Sequence, residues 1–230
     1  MNKVNNIWTK IRRKWMKIRL QPIRVFCFHH VCDIYDESTM YRVDWMQIDE
    51  FKAKVHAMQR SGVEFISLTD AYRHICNDCI RCKKYAVLTF DDGYESLKEI
   101  LPWLENQKIP AALFINGKYL DGKSYRKNPN EKYLTKKELF ALTSPLIEIG
   151  SHGWEHVDAS KIKLEEFQDS VCKNREILQN HPQYVPFYAY TYGRHNQQED
   201  EYLAGLQLTP VLIDGADNYN DCKCIQRRLL

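Results

Sequence analysis

Two short stretches of this chain hold residue types suited to hydrolytic chemistry. Tyr85-Ala86-Val87-Leu88-Thr89-Phe90 is an apolar run that ends abruptly in Asp91-Asp92-Gly93. A short run, partly β-branched and aromatic and bounded by a turn signal, predicts a buried strand that delivers two carboxylates to its C-terminal end. Adjacent carboxylates repel, so the pair calls for a cation or a shared proton. The plainer reading of these residues is a strand followed by an Asp-Gly turn. Further on, Gly150-Ser151-His152-Gly153-Trp154-Glu155-His156 brings two imidazoles and a carboxylate together. Imidazole with carboxylate is a common zinc set, with coordination left open for water and substrate. The plainer reading there is a pair of surface histidines on a helix turn.

Taken in order, these stretches resemble the NodB-type polysaccharide deacetylases, carbohydrate esterase family 4. Thr89-Phe90-Asp91-Asp92-Gly93 matches the family's first motif and His152 to His156 its second. Phe187-Tyr188-Ala189-Tyr190-Thr191-Tyr192-Gly193 resembles the aromatic form of the third, seen in exported poly-N-acetylglucosamine deacetylases. The resemblance runs from about residue 25 to residue 228, and three ordered motifs are far more specific than one.

It implies a metal-dependent hydrolase that removes the acetyl group from an N-acetylated sugar in a polysaccharide or glycan precursor. Asp92, His152 and His156 would be the metal ligands and Asp91 the general base. The backbone N–H of Tyr192 would donate to the oxyanion, and a backbone donor suits that task because it is fixed before reaction. A carboxylate–imidazole set suits zinc, cobalt or nickel better than magnesium, and zinc is the expected ion. Two departures stand out. Many members carry an arginine that holds the catalytic aspartate where this chain has Ala189, and a proline where it has Thr191. The usual C-terminal Leu-x-x-His segment is also missing. Instead Phe28-His29-His30-Val31 resembles the Tyr-His-x-Val segment of circularly permuted members, which makes His29 the general acid. The opposing expectation is a catalytically impaired carbohydrate-binding relative.

The elements that must position these residues alternate between strand and helix patterns. Strands are expected at 23–31, 63–68, 85–90, 111–116, 146–149, 184–190 and 208–213. Helices are expected at 47–61, 69–76 with Thr69 as N-cap, 96–106 with Pro102 as a disturbance, 135–142 and 164–180. Such alternation implies a mainly parallel sheet of about seven strands, and the resemblance implies a distorted or incomplete (β/α) barrel. His29, Asp91, Asp92, His152 and Tyr192 all fall at the C-terminal ends of these strands, the face that carries chemistry in an α/β barrel.

Charge is unevenly spread along the 230 residues. Residues 1–24 hold eight lysines and arginines and no acid, while the remainder carries 25 basic against 30 acidic residues. This divides the chain into a basic amphipathic leader, 1–24, and a deacetylase-like domain, 25–230. The acidic body argues against a nucleic-acid surface. Ile7, Ile11, Trp15 and Ile18 recur at helical spacing in the leader, so it could lie on an anionic membrane surface or pack on its own domain. No run approaches the ~20 apolar residues of a membrane span, and the leader lacks the apolar h-region of a signal peptide. The eight cysteines read mainly as reduced thiols in a cytoplasmic protein, and a leader lying on the membrane would put it at the inner face. Cys76, Cys79 and Cys82 have metal-type spacing but no matching second pair.

Overall fold

Residues 21–38, 40, 42–77, 83–124, 130–221 and 223–230 are described by the computed structural model. The strands are β1 (Ile23–Phe28), β2 (His30–Val31), β3 (Trp45–Met46), β4 (Val63–Phe65), β5 (Lys84–Phe90), β6 (Ala111–Ile115), β7 (Ile147–Ser151), β8 (Tyr184–Ala189), β9 (Thr209–Ile213) and β10 (Ile225–Leu229). The helices are α1 (Ile48–Arg60), α2 (Leu68–Cys76), α3 (Leu97–Asn106), α4 (Lys136–Ala141), α5 (Leu164–Leu178) and α6 (Gln197–Gly205). The leader lies outside the described residues, apart from residues 21–24, and so do Cys79 and Cys82.

Seven strands close into a parallel barrel. β5, β6, β7, β8, β9 and β10 pair in sequence, and β1 pairs with both β10 and β5. β1 runs along β5 from Ile23↔Tyr85 to Phe28↔Phe90, which occupies one whole edge of β5. The other edge is shared between β4, at Lys84 to Ala86, and β6, at Leu88 to Phe90. The strand expected at 63–68 is therefore a three-residue appendage outside the ring. Its place is taken by β10, a segment where the sequence pattern predicts no strand.

Alternation along the strands sorts the core into two shells. Val25, Val87, Ala112, Phe114, Phe187, Ala189, Val211 and Ile225 come from around the ring and pack in one cluster with Leu68, Ala71 and Ile75 of α2. These strand residues fill the barrel, and α2 plugs its N-terminal end. Ser67, not Thr69, caps α2, its hydroxyl accepting from the Asp70 N–H. Glu148 of β7, an inward residue, accepts the Leu68 N–H at 2.8 Å and so holds the plug. On the outer face Phe26, Leu88, Leu113 and Ile149 meet Phe51, Val55, Ile100 and Leu104 of α1 and α3. Each such buried side chain contributes about 1.5–3 kcal/mol. α3 runs through Pro102 without a break.

Candidate active site

The C-terminal ends of β5, β7, β8 and β10 converge on one polar cluster. Asp91 and Asp92 are each 1% exposed. They point apart because the backbone turns sharply after β5, with Asp92 at φ 69°. A non-glycine residue in the left-handed region is strained and persists where its surroundings hold it. Here the next residue, Gly93, packs so closely that an added Cβ would sit 2.9 Å from Ile115 Cδ1.

Asp92 faces the two histidines of the second stretch. Its Oδ1 lies 3.4 Å from His152 Nε2 and 3.4 Å from His156 Nε2. That spacing is expected of two ligands on one tetrahedral ion with bonds of about 2.1 Å. His152 Nδ1 is 2.7 Å from the Ala189 carbonyl, so it carries the proton and Nε2 is left to face Asp92. The loop bearing both histidines is tied at each turn. Asn116 Nδ2 donates to the carbonyls of His152 (2.6 Å) and Gly153 (3.2 Å). Ser170 Oγ accepts the Trp154 N–H, and Tyr119 Oη accepts the His156 N–H. The chemistry of the set and its convergence therefore fit a divalent ion. The imidazole side chains of His152 and His156 are 2% and 5% exposed at this cluster, which removes the reading of surface residues on a helix turn.

Asp91 turns into the barrel and meets Arg227, a residue that sequence reasoning missed. Arg227 Nη1 donates to Asp91 Oδ1 at 2.6 Å and Nη2 to Oδ2 at 2.9 Å. Both groups are fully buried, and Arg227 also bonds Thr89 Oγ1 and the Leu212 carbonyl. Burial is the largest single influence and would push the Asp91 pKa up, but the Arg227 charge and hydrogen bonds together with the neighbouring His152 and His29 outweigh it, so the carboxyl is held below its ordinary value. Cys27 Sγ donates to Asp91 Oδ2 at 3.4 Å. Burial drives that thiol's pKa well above the usual value and keeps it protonated. The arginine expected at Ala189 is thus absent from β8, and its counterpart arrives from β10. The available signal was alternation in Ile225-Gln226-Arg227: a charged residue on the same face as a core isoleucine.

β1 ends at Phe28 and β2 begins at His30, so the strand expected over 23–31 breaks at His29. His29 is half-buried near Asp91 and Cys27. His30 goes elsewhere, stacked 3.7 Å from Tyr94 with Nδ1 3.0 Å from Ser96 Oγ. Tyr192 has φ 60°, and its ring, 57% exposed, stands edge-on to His156 at 4.7 Å. The five cysteines described are free thiols. All six site residues read from the sequence gather at one barrel mouth.

A polysaccharide deacetylase family model matches residues 80–211. The Bacillus subtilis protein YxkH is 22% identical over 151 residues, covering 65% of this chain and 51% of YxkH. A peptidoglycan-N-acetylglucosamine deacetylase, PgdA of Listeria monocytogenes, is 27% identical over 154 residues, 65% of this chain and 30% of that protein. The chain thus aligns with about half the length of one relative and under a third of the other. Among solved structures, IcaB from Ammonifex degensii superposes with a TM-score of 0.78 at 20% identity, covering 91% of this chain and 92% of IcaB. The Streptococcus pyogenes deacetylase PplD, in complex with acetate, gives 0.74 at 21% identity, with 92% and 93% covered. These likenesses carry the barrel fold, and the family match, over just more than half of the chain, carries the kinship: this protein belongs to the polysaccharide deacetylase family.

Proposed function

We propose that this protein is a metal-dependent deacetylase that hydrolyses the acetamide of an N-acetylated sugar in a polysaccharide or glycan precursor. The observation that carries the reading is the buried Asp92–His152–His156 convergence beside an Asp91 clamped by Arg227. An ion held by Asp92, His152 and His156, zinc by preference, would supply Lewis acidity toward the acetamide carbonyl and the attacking water. Asp91 takes the proton of that water, and the two Arg227 bonds fix the carboxylate's plane while leaving it ionised. His29, across the mouth, protonates the leaving amine. The Tyr192 N–H, on a backbone turn already strained into place, donates to the developing oxyanion. With Arg227 present, Ala189 no longer favours an impaired carbohydrate binder.

The order of elements supports the circularly permuted branch of the family. The family match covers residues 80–211, yet β1 with His29 precedes it and β10 with Arg227 follows it, and both are needed to close the barrel. Release of acetate from N-acetylglucosamine oligomers, assayed with and without chelator, tests the reading. Activity should vanish on chelation and return with zinc, cobalt or nickel. Full activity in Asp92→Asn with His156→Ala would refute it.

The basic leader supports a location at the cytoplasmic face of an anionic membrane, each Lys or Arg near such a surface contributing about 1 kcal/mol. Removing residues 1–21 should release the protein from anionic vesicles while turnover of a soluble substrate persists. Equal vesicle binding before and after truncation would refute that placement.

A further inference from the structure

The barrel mouth holds a second group with ligating chemistry. Cys27, His29 and Asp91 each offer one donor atom, and these atoms lie within 4.8 Å of one another. The sulfur is 3.4 Å from Asp91 Oδ2. That same oxygen is 3.8 Å from His152 Nε2, so the group adjoins the Asp92–His152–His156 set. The geometry also places in this group the two residues read above as general base and general acid.

We propose that Cys27, His29 and Asp91 form a second, weaker site for a thiophilic divalent ion, Cd²⁺ or excess Zn²⁺, and that filling it inhibits the enzyme. The donor set selects the ion: thiolate with imidazole and carboxylate suits zinc and cadmium and disfavours magnesium and calcium. Binding releases one proton from the Cys27 thiol as the metal–sulfur bond forms. Two features make the site weaker than its neighbour. The sulfur is buried and donates its proton to Asp91, so the ion must break that hydrogen bond to bind. Arg227 already donates to both oxygens of Asp91, and its charge opposes another cation. Only an ion with strong affinity for sulfur offsets these costs. Inhibition follows because the ion occupies a lone pair of Asp91 and the ring nitrogen of His29, and this part rests on the roles proposed for those two residues.

Crystals of the full chain soaked in Cd²⁺ test the site directly through anomalous difference density. Two peaks are expected, one bounded by Asp92, His152 and His156 and one by Cys27, His29 and Asp91. Cys27→Ala and Cys27→Ser should each remove the second peak and keep the first. In solution, turnover of the metal-loaded enzyme should fall as Zn²⁺ or Cd²⁺ is raised past one equivalent. In Cys27→Ala or Cys27→Ser the inhibitory concentration should rise at least 10–100-fold, the range seen when even an outer partner of a ligand is lost. Absence of the second peak in the wild type, or inhibition undiminished in both variants, overturns the proposal. Loss of the first peak alone would instead count against the metal site of the proposed function and leave this one standing.

Discussion

Replacing Arg227 with Met keeps most of the side chain's volume and removes its charge. Asp91 would then be a fully buried carboxylate that has lost two charged hydrogen bonds, at 2.6 and 2.9 Å, and retains a thiol donor. Breaking a buried pair from one side costs about 3–5 kcal/mol. For a chain of this size each kcal/mol lowers Tm by about 2–4 °C, so the melting point should drop by about 6–20 °C. Arg227→Lys should recover only part of this, because one ammonium cannot reproduce a planar two-pronged contact. The decisive variant is Arg227→Met combined with Asp91→Asn, which removes the stranded charge along with its partner. It should regain most of the lost stability and none of the activity. Thermal or urea denaturation reads the first effect and acetate release the second. If Arg227→Met melts within about 2 °C of wild type, or the double variant is no more stable than the single one, the pair is not what compensates Asp91.

His29→Ala should leave affinity at the Asp92–His152–His156 site nearly unchanged and lower kcat by about 10²–10⁴-fold, while His30→Ala should act through packing alone; a His29→Ala enzyme at the wild-type rate, or one that has lost the ion from that site, contradicts the assignment. Asn116→Ala strips two buried carbonyls of their donor at about 1–3 kcal/mol each. It should also weaken metal binding by about 10–100-fold in a chelator competition, and an unchanged affinity would show that the loop holds its shape without Asn116. His181 carries a pH dependence of defined sign. Its Nε2 donates to the Leu139 carbonyl at 3.0 Å and its Nδ1 accepts the Gln183 N–H at 3.1 Å, an arrangement that needs the neutral ring. Burial lowers its pKa, so the unfolded chain takes up the proton first as pH falls. Stability is therefore full above the unfolded value of about 6.5 and declines below it toward the folded value. Denaturation midpoints should fall between neutral pH and about pH 5.5, and the fall should be smaller in His181→Gln; equal slopes in both proteins would remove His181 as the cause.

What could be read from the sequence depended on how local each signal was. Asp91, Asp92, His152 and His156 were legible because metal-type residues at fixed offsets seldom gather near strand ends for packing alone. The strand expected over 23–31 instead stops at Phe28, and His30 pairs with Trp45 in a separate ladder, a long-range contact that local alternation does not reveal. Arg227 was harder to read: its partner is 136 positions away, and the one local sign was its alternation with Ile225 in a short, charge-rich segment. The exchange of β4 for β10 in the ring was hidden for a related reason. Val63–Phe65 and Ile225–Leu229 are both short, and only barrel closure decides which of them gains two neighbours. At α2 the competition between Ser67 and Thr69 was a local matter, settled by which residue adopts the extended cap conformation.

The pairing of β1 with β5 and β10 also dictates when the site comes into being. Val25 meets Arg227 across about two hundred positions, a contact that no hairpin or local helix can nucleate. Contacts of such separation form late and slowly, because the loop must close before they add stability. A half-wound sheet would leave Asp91 hydrated at an open edge, with Arg227 still in water. Closing the ring removes both from solvent in the same movement that seats them together. The Asp91 carboxylate is thus buried only in molecules where β1, β5 and β10 have met, so barrel closure and completion of the cluster form one cooperative step.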